Sequence, residues 1–251
     1  MRTRTASTAA LAAIIAIAAS APVYAQAPAA PSYAQAPAAP ERVALSNETT
    51  FTRWANAATR AMAYAAPTAT AGVVGRLRLV TEDGFPEVYL LLARQVGADG
   101  SQWIQIRLPQ RPNNVTGWVR RTQLGPFNVV RTRLVVDGKA LRVTLYERGV
   151  RRFRAPIGIG APGTPTPAGS FWIREKFHVE RNPRYGTRAM GTAAYSDSLT
   201  DWPGGGVIGV HGTGEPRLIP GRPSHGCIRV RNRAMERLYT LTPIGTPLLI
   251  R

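Results

Sequence analysis

A chain of 251 residues holds one large domain or two modest ones, and 44% hydrophobic residues supply material for a core. Its formal charge of +18, nearly all of it arginine, favours polyanionic partners: nucleic acid, an anionic membrane face, or a phosphate- and carboxylate-rich wall. The single cysteine excludes a disulfide within the chain.

Arg2 and Arg4 precede an apolar run, Ala9 to Ala19, and Val23-Tyr24-Ala25 fits a cleavage site, so residues 1–25 read as a secretory signal peptide. The run has about a dozen residues against the roughly 20 of a membrane-crossing helix. No integral membrane segment is therefore expected once the signal is removed. Secretion, to the cell wall or periplasm, also argues against nucleic acid as the partner, and the arginines form no dense block. An anionic cell wall suits both observations.

Residues 26–66 read as an Ala/Pro-rich linker and a short helix. Tyr24-Ala-Gln-Ala-Pro-Ala-Ala-Pro31 recurs as Tyr33 to Pro40, a proline-stiffened, extended tether. Phe51, Trp54, Ala55, Ala58, Met62 and Ala63 then follow at helical spacing. Residues 67–126 show short apolar stretches, Val73 to Val80, Val88 to Val96, Trp103 to Leu108 and Gly117-Trp118-Val119, broken by Asp-Gly and Pro-Asn-Asn turns. This pattern predicts a small barrel. Trp103 to Leu108 followed by Gly117-Trp118-Val119 resembles the bacterial SH3-like modules of cell-wall proteins.

Residues 129–251 begin with a strand meander over Arg133–Asp137, Ala140–Tyr146 and Arg151–Ile157, with Gly138 and Gly149 at the turns. A proline-rich loop from Gly160 to Gly169 leads to a strand at Ser170–Arg174. Asn232 is placed to cap a helix through Leu241, with Met235, Leu238 and Leu241 on one face, and Pro247–Ile250 adds a last strand. The fold class expected is mostly β: a small barrel, then a sandwich- or barrel-like domain with one short helix near the C-terminus.

The chemistry gathers around the lone thiol. Cys227 lies in Ser224-His225-Gly226-Cys227-Ile228-Arg229, sixteen residues after His211 in His211-Gly212-Thr213. A thiol becomes a nucleophile when an imidazole or backbone N–H groups favour its ionised form. His211 follows the apolar strand Val207 to Val210, which would fix it rigidly. Taken singly, each residue has a plain reading: a buried thiol acting as a small hydrophobe, a core histidine, a surface arginine. A zinc site on His211, His225 and Cys227 is a second alternative, but zinc would occupy the thiolate that a nucleophile needs. A catalytically idle wall-binding protein is the third.

Thr164-Pro-Thr-Pro-Ala-Gly-Ser-Phe171, His211-Gly212-Thr213 and Ser224 to Arg229 together resemble the L,D-transpeptidase catalytic domain, the YkuD family, over roughly residues 129 to 251. The resemblance implies a peptidoglycan transpeptidase in which Cys227 takes an acyl group from a tetrapeptide stem, releases D-alanine, and passes it to a diamino acid side chain in a 3-3 cross-link. Water as acceptor would make an L,D-carboxypeptidase. His211 matches the base, and His225 an orienting or thiolate-stabilising group. Gly226 and Cys227 N–H are expected to form the oxyanion hole. Arg229 is expected to bind the stem carboxylate, Gly212 to orient His211, and Ser224 to hydrogen-bond nearby. Tyr195, Trp202 and the Gly204 to Gly206 run are expected along the cleft. The resemblance implies no cofactor or metal, and a carbapenem as covalent inhibitor.

Overall fold

A computed structural model describes residues 41–180, 183–200 and 204–251 of the chain. The expected signal peptide and the proline-rich repeat lie outside these residues, as does Trp202.

The first sheet comprises β1 (Val43–Ala44), β2 (Thr52–Asn56), β3 (Ala61–Tyr64), β4 (Val73–Leu77), β5 (Val88–Val96), β6 (Gln102–Arg107), β7 (Thr116–Arg120) and β8 (Asn128–Val130). Its order is β4-β3-β7-β6-β5-β2-β8, with β1 also on β5. The short helix expected within 41–66 is absent: that segment supplies three strands. The Asn47 carboxamide oxygen accepts the N–H groups of Thr49, Thr50 and Phe51, a local turn that competes with helix. Beyond it, β2 pairs with β5 on one side and β8 on the other, satisfying its backbone within a sheet. The apolar residues at helical spacing do not form one stripe, since Ala55 and Ala63 are buried while Met62 is exposed. The first sheet therefore runs from Val43 to Val130, wider than the 67–126 expected.

The second sheet follows in β9 (Thr132–Asp137), β10 (Arg142–Glu147), β11 (Val150–Gly160), β12 (Gly169–His178), β13 (Arg188–Tyr195), β14 (Val207–His211), β15 (Gly221–Ser224), β16 (Ile228–Val230) and β17 (Pro247–Ile250), with helix α1 (Asn232–Leu241) before the last strand. The order is β10-β9-β17-β12-β13-β14-β16-β11-β15, and β10 pairs with β11 as well, so the path returns on itself. Period-two burial explains the outer strands: Leu134 and Val136 of β9 and Val143 and Leu145 of β10 face inward. In β13 every residue from Ala189 to Tyr195 is buried, because both faces are covered. Met235 and Leu238 carry the apolar stripe of α1 into the same core, as the sequence predicts.

The two sheets share this core. Val88 and Leu90 of β5 join the cluster built on Phe171, Trp172 and Ile173 of β12, and the Trp172 indole N–H donates to Val88 O at 2.8 Å. Beside it the Arg174 guanidinium, 0% exposed, bonds both carboxylate oxygens of Glu87 and reaches Glu82 Oε2 at 2.9 Å. A charge so buried is tolerated only because its donors are met by carboxylates.

Candidate active site

Strands β14 and β16 are parallel neighbours, with Val210 opposite Ile228 and His211 opposite Arg229. Ile208, Val210, Ile228 and Val230 point into the core. The alternation then sends Gly209, His211, Cys227 and Arg229 to the other face. That face lines a cleft of about 620 Å3 shared by His211, His225, Cys227, Arg229, Tyr185 and Glu215. Cys227 lies diagonally from His211, and Gly209 sits between them: its N–H donates to Cys227 Sγ at 3.4 Å. A Cβ on Gly209 would stand 3.8 Å from His211 Cδ2 and 4.0 Å from Cys227 Sγ. Both are ordinary contact distances, so Gly209 has the imidazole on one side and the sulfur on the other. Sequence reading passed over Gly209, because its value comes only from the register of two strands.

His211 is 4% exposed and its Nδ1 is 2.6 Å from Gly212 O. A carbonyl can only accept, so Nδ1 carries the proton and Nε2 keeps its lone pair. Burial pushes the imidazole down to about 4, the Gly212 carbonyl opposes this, and the Arg229 charge adds to it. Burial likewise pushes the Cys227 thiol up, against the Gly209 N–H and Arg229. Both shifts favour a neutral imidazole beside a protonated thiol. This pair suits a base that takes the sulfur proton during attack.

The depressed imidazole has a consequence for stability. Its folded value lies below the unfolded one, so the unfolded chain binds the proton first as pH falls. The contribution is complete above about pH 6.5 and is lost toward pH 4, amounting to about 3 kcal/mol. Urea titrations between pH 7 and pH 4 should show this loss in the native chain and a flatter profile in His211→Ala; equal slopes would contradict it.

Other contacts hold the imidazole in place. The Tyr185 ring lies 4.6 Å from it, tilted by 57°. Asn232, expected to cap α1, makes no side-chain cap bond; the cap position is Arg231. Its Oδ1 instead accepts Thr213 N–H at 2.7 Å, anchoring the turn after His211. Gly186 and Gly212 pack so closely there that a Cβ on either would come within 2.3 or 2.4 Å of Asn232 Oδ1. Gly212 thus supports the base, and is not among the residues lining the cleft.

The loop before Cys227 is braced internally. Ser224 Oγ donates to Cys227 O at 2.6 Å and accepts Gly226 N–H at 3.2 Å. This removes the Gly226 N–H from the expected oxyanion hole, since its one proton is already donated. Gly226 has φ +120°, and a Cβ there would meet Ile208 Cδ1 at 2.8 Å, so the position needs glycine for its backbone. His225, expected as an orienting or thiolate-stabilising group, precedes this bend; it is exposed and lines the cleft from outside β16.

Arg229, with 15% of its side chain exposed, pairs through Nη1 with Glu215 Oε2 at 2.8 Å, so it already holds a carboxylate beside Cys227. Tyr195 departs from expectation: it is buried and does not line the cleft. Its hydroxyl sits among Glu82, Arg78 and Arg174 where the two sheets meet. Gly206, from the glycine run, does line the cleft. Among the described residues no three His, Cys, Asp or Glu side chains are gathered to hold a metal, and no helix is long and apolar enough to cross a membrane.

Fold and cleft define a mostly β domain with a cysteine, a fixed imidazole and an arginine on one sheet face. Residues 131–250 match the family described as YkuD, L,D-transpeptidase catalytic domain. The chain is 36% identical over 128 residues to a protein of Bacillus licheniformis named putative L,D-transpeptidase YkuD, covering 51% of this chain and 67% of that one. It is 32% identical over 115 residues to the Bacillus subtilis protein of the same name, covering 46% and 62%. A solved structure of an Enterococcus faecium L,D-transpeptidase mutant aligns at 26% identity over 48% of this chain and 49% of that one, with a TM-score of 0.39; the fold assignment rests on the strand topology instead. The chain belongs to the L,D-transpeptidase (YkuD) family of transferases. It spans about two thirds of the length of the two Bacillus relatives.

Proposed function

We propose that this chain is a secreted peptidoglycan L,D-transpeptidase working through an acyl-enzyme on Cys227. The observation that carries the proposal is the placement of Cys227 and His211 across Gly209, with Arg229 in register beside them. Cys227 Sγ attacks the stem-peptide carbonyl while His211 Nε2 takes the thiol proton. The C–N bond breaks, the imidazolium returns its proton to the leaving D-alanine amine, and a thioester remains. An acceptor amine then attacks, its proton passes to His211, and the thiol is restored as the new amide forms. Water in place of the amine gives the carboxypeptidase outcome.

Arg229 binds the free carboxylate of the donor stem, as it binds the Glu215 carboxylate. His225 stands at the cleft rim. In this reading the first sheet is an SH3-like module directed to the wall, whose anionic groups the +18 charge favours. A carbapenem would acylate the same sulfur.

Mass spectrometry of muropeptides incubated with the protein tests the reaction. Loss of D-alanine with formation of a 3-3 linked dimer is expected; a tripeptide alone would identify water as acceptor, and unchanged stems would overturn the proposal. Arg229→Ala should raise KM for stems ending in a free carboxylate by roughly tenfold to a hundredfold with kcat little altered. Unchanged KM would remove that role.

A further inference from the structure

Ser196, Leu199 and Gly206 line the cleft with Cys227, and they belong to the segment joining β13 to β14. Its base is closed by Ser196 N–H to Gly206 O at 2.8 Å, and it ends in Gly204, Gly205 and Gly206, all at positive φ. Three consecutive glycines lose more freedom on ordering than any other residues. Ser196 Oγ accepts the N–H groups of Ser198 and Leu199 at 3.3 and 3.1 Å, and the first sheet adds bonds of its own. Arg111, in the turn between β6 and β7, donates Nε–H and Nη2–H to Ser196 O at 3.1 and 2.8 Å. The same Nη2 reaches Gly205 O at 2.9 Å and Leu199 O at 3.3 Å. Two residues on, Asn113 pairs with both backbone groups of Tyr195, donating to its O at 2.8 Å and accepting its N–H at 3.0 Å. Gly206 is needed first for its own backbone: a Cβ there would lie 2.0 Å from Leu199 O, and 2.7 Å from Arg111 Nη2.

We infer that Arg111, which lies outside the family-matched residues 131–250, is a positioning residue for the cleft: it sets the wall against which an extended stem peptide lies. Nη2 reaches all three carbonyls while Nε–H adds a second bond to Ser196 O, and lysine, a point donor, reproduces part of this. Arg111 touches neither Cys227 nor His211, so the thiol's intrinsic reactivity does not depend on it. The role in substrate binding rests on the stem-peptide reading above; the ordering of the wall does not.

The experiment compares the full chain with Arg111→Ala and Arg111→Lys in three measurements. Amide hydrogen exchange over 196–200 and 204–206 should quicken at least about tenfold in Arg111→Ala, less in Arg111→Lys, with β5 unchanged. KM for a tetrapeptide stem should rise by about tenfold with kcat within about twofold, and lysine should restore part of it. Alkylation of Cys227 by iodoacetamide should keep its rate. Unchanged exchange in the segment, or exchange quickened equally in β5 in both variants, would overturn the ordering role. Quickened exchange with an unaltered KM would overturn the positioning role. If the wild-type chain turns over no stem, the proposed reaction fails, while the exchange measurement still decides the contact.

Discussion

Cys227→Ala is expected to abolish acyl transfer while leaving the fold intact. The side chain is only part-exposed, its sulfur accepts the Gly209 N–H, and alanine is smaller and fits the same space. The loss should therefore be chemical. No other thiol exists to substitute. His211→Ala should be severe but incomplete, since a positioned base contributes about 10² to 10⁴ in rate and the thiol retains intrinsic nucleophilicity. Steady-state kinetics with a tetrapeptide donor, beside matched urea denaturation, separates chemistry from stability. Residual turnover in Cys227→Ala comparable to that in His211→Ala would mean another group attacks the carbonyl.

The second large effect concerns stability. Arg174→Ala leaves Glu87, 0% exposed, without its main counter-ion, and breaking a buried pair from one side costs about 3 to 5 kcal/mol. Burial alone would raise the Glu82 carboxyl, but Arg174, Tyr195 and Arg78 outweigh it and hold it down at about 2. Glu82 thus stabilises the folded chain above its unfolded value near 4.5, and this is lost as pH falls toward 2. Replacing both partners, Arg174→Met with Glu87→Leu, should recover part of the loss, because no uncompensated charge remains. Urea midpoints for the two single variants and the double variant measure this coupling. An additive result would mean that the pair contributes little.

Much of the catalytic half was legible because its signals are local. The thiol, the two histidines and Arg229 fall within one short stretch, and α1 and β17 followed from apolar runs and stops. What was not legible depends on residues far apart in sequence. Residues 41–66 mimic a helix until β5 and β8 take up the hydrogen bonds of β2. Asn232 has an N-cap signature, yet Thr213 reaches its carboxamide first. Tyr195 resembled a cleft aromatic and is held instead by Glu82 and Arg78 beside the first sheet and by Arg174 of β12. Gly226 offered an N–H that Ser224 already accepts. Gly209 and Arg111 carry no local motif; their roles exist only once β14 lies beside β16 and the β6–β7 turn lies against residue 196.

The central claim is that the Cys227 sulfur, with its proton removed by His211, forms the covalent link to substrate. Its most direct test is intact-mass spectrometry of the full chain mixed with a tetrapeptide stem or a carbapenem, followed by peptide mapping. One adduct per chain, located on Cys227, absent in Cys227→Ala and slow to form in His211→Ala, is the predicted result. An adduct on any other residue, or full turnover with no adduct on the sulfur, would contradict it.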